Sequence, residues 1–154
     1  MHRRERLMKV YDTGNIRNVV LLGHGGAGKT TVAEALAYVT GTTTRMGSVP
    51  EGNTVSDYDK EEIKRKFSIS ATTVPVEYKG EHGDLKINIL DTPGYFDFVG
   101  EVEEAVSVAD AAIIVVNCKA GIEPGTLRAW DICEKYRIPR LFFVTNMDDD
   151  HASF

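Results

Sequence analysis

The chain has 154 residues, 42% hydrophobic and 27% charged, with a net charge of −5. This is an ordinary globular balance for one domain and excludes a disordered chain. The negative charge excludes a global basic field for nucleic acid, and the longest apolar run, Ala111–Val116, falls far short of the ~20 residues a membrane helix needs.

Met1–Lys9 sets Arg3, Arg4, Arg6 and Lys9 against Glu5 and lacks an apolar stretch. A basic, frayed tail over residues 1–15 is expected, with no secretory signal, and the domain is expected over 16–154. Asn18–Leu22 reads as a buried strand and runs into Gly23-His24-Gly25-Gly26-Ala27-Gly28-Lys29-Thr30. Thr31–Val39 has helical spacing, with Val32, Leu36 and Val39 on one face. Gly41–Lys66 is polar, then charged, and reads as a long functional or mobile loop. Phe67–Tyr78 and Leu85–Leu90 read as strands joined by a hairpin turn over Lys79–Asp84. Asp91-Thr92-Pro93-Gly94 breaks the second strand. A helix over Glu101–Val108, a strand over Ala111–Val116, a helix over Pro124–Tyr136 stopped before Pro139, and a strand over Arg140–Thr145 follow. Leu127, Trp130 and Tyr136 fall at helical spacing and read as core or helix-face residues. Alternating strands and helices after one early hairpin predict an α/β fold, a mainly parallel sheet with helices on both faces. Cys118 and Cys133 have neither redox nor metal spacing and are expected to be reduced.

Three motifs carry chemistry. Gly23-x-x-x-x-Gly28-Lys29-Thr30, between a strand and a helix, is a phosphate-loop pattern. Its N–H groups and the positive helix end suit phosphate oxygens. Lys29 would reach the outer phosphates, and the Thr30 hydroxyl would serve Mg²⁺. In such a protein, Asp91 at the next motif can hold the Mg²⁺ water shell, and the Gly94 N–H can sense a γ-phosphate. Thr145-Asn146-Met147-Asp148 ends the last strand, at the sheet edge where ligands bind in open α/β folds. A carboxylate there can accept from guanine N1 and its exocyclic amine; adenine cannot donate both. A solvated acidic turn, Asp148-Asp149-Asp150, is the blander reading of that motif. His24 reads as a loop-packing residue.

In this order, and with Arg65–Ser70, Asp91–Phe98 and Gly121-Ile122-Glu123-Pro124 between them, the motifs resemble the guanine-nucleotide-binding domain of translational GTPases, above all elongation factor G and its paralogues. The resemblance runs from about Ile16 to Phe154. It implies a Ras-like phosphate-loop NTPase fold in which the hairpin supplies one antiparallel strand. It implies GTP/GDP and Mg²⁺ as ligands, and GTP hydrolysis coupled to ribosomal translation in the cytoplasm, at the translocation step. Catalytic roles would fall to Lys29, Gly94 and Tyr95. Nucleotide would be bound by Gly23, His24, Gly25, Gly26, Ala27, Gly28, Lys29, Thr30, Thr31, Asp91, Gly94, Thr145, Asn146 and Asp148. Mg²⁺ would be served by Thr30, Ser68 and Asp91. The long polar segment would be switch I, and the segment after Gly94 switch II. The family domain continues past Phe154 into a further strand and then into ribosome-contacting domains. The chain is therefore expected to be an N-terminal piece, truncated before the last strands, without membrane or sequence-specific DNA partners.

The chain departs from the family pattern in its site. Gly26 stands where Asp is usual, which removes a side chain for a monovalent cation. Ser68 replaces the Thr that serves Mg²⁺ and keeps the hydroxyl. Tyr95 replaces the His that orients the attacking water. A phenol with pKa ~10 is a poor substitute for an imidazole near pH 7, so slow intrinsic hydrolysis is expected. The base-reading box lacks its Lys stem. Reading it as Thr145–Asp148 aligns Ala152 and Phe154 without a gap, whereas Asn146–Asp149 would place Met147 over the base. Two further readings compete: a guanine-nucleotide-binding regulator that does not hydrolyse, favoured by Tyr95, and an ATP-using phosphate-loop enzyme, disfavoured by Asp91–Gly94 and Asp148.

Overall fold

The computed structural model describes residues 9–81, 83–150 and 152, with the backbone alone at Phe96. The basic run before residue 9, His82 of the expected turn, and Phe154 of the base-box alignment lie outside the described residues.

The elements in chain order are β1 (Ile16–Gly23), α1 (Lys29–Val39), α2 (Lys60–Arg65), β2 (Thr72–Gly80), β3 (Gly83–Asp91), α3 (Val99–Ser107), β4 (Ala111–Asn117), α4 (Pro124–Tyr136) and β5 (Arg140–Thr145). They form one five-stranded sheet in the order β2-β3-β1-β4-β5. β1 pairs in parallel with β3 and β4, and β4 with β5; only β2 runs antiparallel, against β3. This is the mainly parallel sheet that the residue pattern predicts, with the one antiparallel strand that the resemblance implies.

Alternation along β1 sends successive side chains to opposite faces. Val20 and Leu22 join Ile114, Val106 and Ile132 in one core under α3 and α4. Leu21 joins Ala33, Ala37, Val74 and Val115 in the other, under α1. The central strand is covered on both sides, which is why Asn18–Leu22 reads as a continuous apolar run.

Several boundaries move. α1 begins at Lys29, and its packed side is Val32, Ala33 and Ala37, with Leu36 partly buried. Val39 is exposed. β2 begins at Thr72 rather than Phe67. The N–H groups of Ile69, Ser70 and Ala71 bond to glutamate side chains instead of a strand partner. The expected loop over Gly41–Lys66 contains α2, started by a capping box between Asp59 and Glu62. α3 opens at Val99 after a 3-10 turn over Phe96–Phe98. α4 keeps its expected bounds, with Pro124 in its first turn and Arg137 closing it in a left-handed conformation.

Leu127 and Trp130 lie on the outer side of α4 and are exposed. Trp130 stacks on Phe142 of β5, centroids 6.0 Å apart, and the Arg140 guanidinium sits 3.6 Å over its ring. Tyr136 packs at the margin of the core. Lys9, at the end of the basic tail, pairs with Asp84 at the start of β3. Both cysteines are buried, and neither is in a disulfide.

Candidate functional site

β1, β3, β4 and β5 are parallel, so their carboxyl ends share one edge. All three motifs begin there, the place where open α/β sheets collect ligands. The loop after β1 turns into α1 through Gly28, at φ 96. The ammonium of Lys29 donates to the carbonyls of Gly23 at 3.2 Å and His24 at 2.9 Å. Burial pushes the Lys29 ammonium down to about 8, against the pull of Asp91, Asp57 and Glu123. Gly94 packs so closely that a Cβ there would come 2.5 Å from Lys29 Nζ and 2.6 Å from Gly25 N. Only glycine lets the segment after Asp91 approach the loop. A pocket of about 320 Å³ opens at this point, with Gly26, Lys29, Thr31, Ser68, Gly94 and Tyr95 among its lining.

Behind Lys29 lies a buried oxygen cluster. The Thr30 hydroxyl donates to Asp91 Oδ2 at 2.8 Å. The Ser68 hydroxyl donates to Asp57 Oδ1 at 2.7 Å. Each hydroxyl has one proton. With both protons committed to carboxylates, the 3.2 Å contact between Thr30 Oγ1 and Ser68 Oγ sets lone pair against lone pair. Asp91 Oδ1, Asp57 Oδ2 and Ser56 Oγ are buried without a hydrogen bond of ordinary geometry. Burial holds Asp91 up at about 6, moderated by the nearby hydroxyls of Thr30 and Ser56 and by Lys29. Burial also raises Asp57, against its bond from Ser68. Hard oxygen donors with uncommitted lone pairs suit Mg²⁺, so the residues fit the cation that the motifs imply. Among the described residues, no cluster of three or more His, Cys, Asp or Glu offers a different metal centre.

Other sequence-predicted residues hold the frame. His24 accepts from Gly125 N at 3.3 Å through Nδ1, and its Nε2 lies 3.5 Å from Glu123. The phosphate loop is thereby joined to the Gly121–Pro124 motif. Thr145 donates to Ala27 O at 2.8 Å and ties the end of β5 to the same loop. Asn146 stands at φ 58, and Asp148 is exposed beyond it. Asp149 pairs with Lys119 at 3.2 Å. Tyr95 sits at the pocket mouth, 45% exposed.

Sequence reasoning missed Asp57, Ser56, Glu34 and Glu62. Glu34 is 1% exposed, and its carboxylate accepts from the N–H groups of Gly47 and Val55. The spacing Asp59-x-x-Glu62 is a legible capping signal; no local signal marks Asp57 as facing Ser68.

The family model described as the elongation factor Tu GTP binding domain matches residues 14–154. A mitochondrial ribosome-releasing factor 2 of Drosophila willistoni is 40% identical over 142 residues, covering 92% of this chain and 19% of that protein. An elongation factor G-like protein of Mycobacterium tuberculosis is 39% identical over 141 residues, with the same 92% and 19% coverage. The chain thus spans about a fifth of the length of these relatives. A Thermus thermophilus protein of known crystal structure superposes at TM-score 0.81 with 43% identity, covering 86% of this chain and 20% of that one. A bacterial selenocysteine-specific elongation factor shares the fold at TM-score 0.67 and 24% identity, over 87% of this chain and 21% of that one. Among the described residues no helix is long and apolar enough to cross a membrane. The chain belongs to the family of elongation factor Tu GTP-binding domains, the guanine-nucleotide domains of translational GTPases, and is related to elongation factor G and ribosome-releasing factor 2.

Proposed function

We propose that this chain binds GTP with Mg²⁺ and hydrolyses it to GDP and phosphate as the switch of a ribosome-associated factor. The observation that carries the reading is the 3.2 Å approach of Thr30 and Ser68 oxygens, their protons given to Asp91 and Asp57, beside Lys29. Thr30 and Ser68 would hold Mg²⁺ directly, with Asp91 and Asp57 behind them. The cation supplies charge neutralisation for the transferred phosphoryl group. Lys29 exchanges its carbonyl partners for the outer phosphates, and the loop N–H groups from Gly25 to Thr31 cradle them. Gly94 N–H binds the γ-phosphate and so couples it to the segment that follows. Water attacks phosphorus, the bond to the bridging oxygen breaks, and GDP leaves. Asn146 and Asp148 read guanine, with Asp149 the candidate if the motif is read one residue later.

Tyr95 sets the rate in this reading. It stands where the family usually has the water-orienting His, and its phenol is a weaker partner for water at pH 7. Intrinsic hydrolysis is therefore slow. The non-hydrolysing regulatory reading rests on Tyr95 alone, and the relatives lend it no support.

Single-turnover hydrolysis of GTP with and without ribosomes tests the proposal, with ATP as competitor. Ribosome-stimulated hydrolysis that ATP does not inhibit is expected. Equal competition by ATP would overturn the guanine assignment, and failure of ribosomes to stimulate the full-length protein would overturn the translational one.

A further inference from the structure

Glu62 lies in a run of charged residues, Asp57–Lys66, yet it is 3% exposed. Its Oε1 accepts from the backbone N–H of Ile69 at 2.9 Å and of Ser70 at 3.1 Å. Its Oε2 accepts from Asp59 N at 3.3 Å, as half of the capping box of α2. One carboxylate thus joins the first turn of α2 to the two residues that follow Ser68. No strand partner serves those N–H groups, because β2 begins only at Thr72. Glu62 is the acceptor for both.

The geometry points to Glu62 as a positioning residue for the cation: it fixes the backbone behind Ser68, and so places the Ser68 hydroxyl opposite Thr30, without touching the cation itself. This rests on the reading of Ser68 as a cation ligand given above. Asp57 orients the same hydroxyl through its 2.7 Å hydrogen bond. The two acids divide the work: Glu62 sets where the Ser68 oxygen lies, and Asp57 sets where its proton points.

The test is a Mg²⁺ titration of the binding of a fluorescent, uncleavable GTP analogue to wild type, Glu62→Ala, Glu62→Gln, Ser68→Ala and the Glu62→Ala/Ser68→Ala double variant. Partners behind a metal ligand commonly change metal affinity by ~10–100-fold. Glu62→Ala and Ser68→Ala are each expected to raise half-saturating Mg²⁺ by at least ~10-fold, within that range. The double variant is expected to do no worse than the larger single effect, because Glu62 acts through Ser68. Glu62→Gln keeps one oxygen for Ile69 and Ser70 and should fall between wild type and Glu62→Ala. A role in local folding alone predicts additive effects in the cycle, and that result overturns the inference. So does a Glu62→Ala variant that titrates like wild type while Ser68→Ala does not. If Ser68→Ala itself titrates like wild type, the cation reading of Ser68 falls and this inference falls with it. Should Glu62→Ala fail to fold, the same cycle with Glu62→Gln decides by the same criterion.

Discussion

Tyr95 lays its ring against Phe67, centroids 4.8 Å apart and planes tilted by 57°, and a Cβ on Gly25 would meet the same ring at 3.0 Å. From the segment after Gly94, one side chain thus reaches both the residue that follows the long polar segment and the phosphate loop. Both rings line the pocket beside Lys29.

Because Tyr95 acts on water in this reading and not on the bound nucleotide, Tyr95→His should raise single-turnover GTP hydrolysis with nearly unchanged GTP affinity. A gained water-positioning group contributes roughly 3–5 kcal/mol, or ~10²–10⁴ in rate. Rapid-quench measurement on the full-length protein with ribosomes checks this. Equal rates for the two proteins would show that another residue orients the water.

Lys29→Ala should abolish measurable binding of an uncleavable GTP analogue in isothermal titration, because it removes the cation inside the loop. The pH profile offers a milder probe. Burial holds the Lys29 ammonium down at about 8 before nucleotide binds, and the phosphates favour its charged form. The bound state therefore holds more protons than the free one above that pH. Affinity should fall as pH rises past about 8, by up to roughly tenfold per unit, and should not vary below it through this group. A flat profile from about pH 7 to about 9.5 would contradict the assignment.

Asp91 is held up at about 6 by burial, from an ordinary value of 3.8. Between these values the folded, cation-free protein binds more protons than the unfolded chain, so its stability falls as pH rises through that window. Above it, the ionised carboxylate costs up to about 3 kcal/mol at about 1.36 kcal/mol per unit. Asp91→Asn keeps an acceptor for Thr30 and removes the charge. Thermal melts at pH 7 without nucleotide should show a higher Tm, by several degrees, while Mg²⁺-dependent GTP binding weakens. A lower Tm would mean that the charge is already compensated.

Asp148→Asn should shift base preference from guanine toward xanthine, since an amide can donate to the carbonyl of xanthine where a carboxylate only accepts. Competition between XTP and GTP reads this out. If Asp149→Asn shifts the preference instead, the base is read one residue later and the Asp149–Lys119 pair is part of the site.

β5 is an edge of the sheet, and Leu141, Phe142 and Phe143 on it are each about half exposed. An unpaired apolar edge invites pairing with a second copy. This chain should self-associate at high concentration, and Leu141→Lys should reduce that association in light scattering. Equal monomer fractions for the two would count against the edge as the cause.

Local spacing by itself determined the phosphate loop, the bounds of α4, the hairpin, and the order of the strands and of the helices other than α2, because glycine, proline and apolar period act over a few residues of chain. The resemblance to translational GTPases rests on the same short-range patterns, which is why it reads directly from Gly23–Thr30 and Asp91–Phe98. Only the tertiary structure decided the fate of the acids between Asp57 and Glu62. In sequence they look like a solvated charge run; in the fold Asp57 turns to the Ser68 hydroxyl and Glu62 to the N–H groups behind it. The start of β2 was hidden for the same reason, since residues 69–71 give their N–H groups to Glu62 and Glu101 instead of a ladder. Val39 has the apolarity of a core residue, but it is exposed, because it falls away from the side of α1 on which Ala33 and Ala37 pack. A buried carboxylate needs donors that converge on it, and that convergence is a property of the folded chain even where, as for Glu62, the donors lie in the same stretch of sequence.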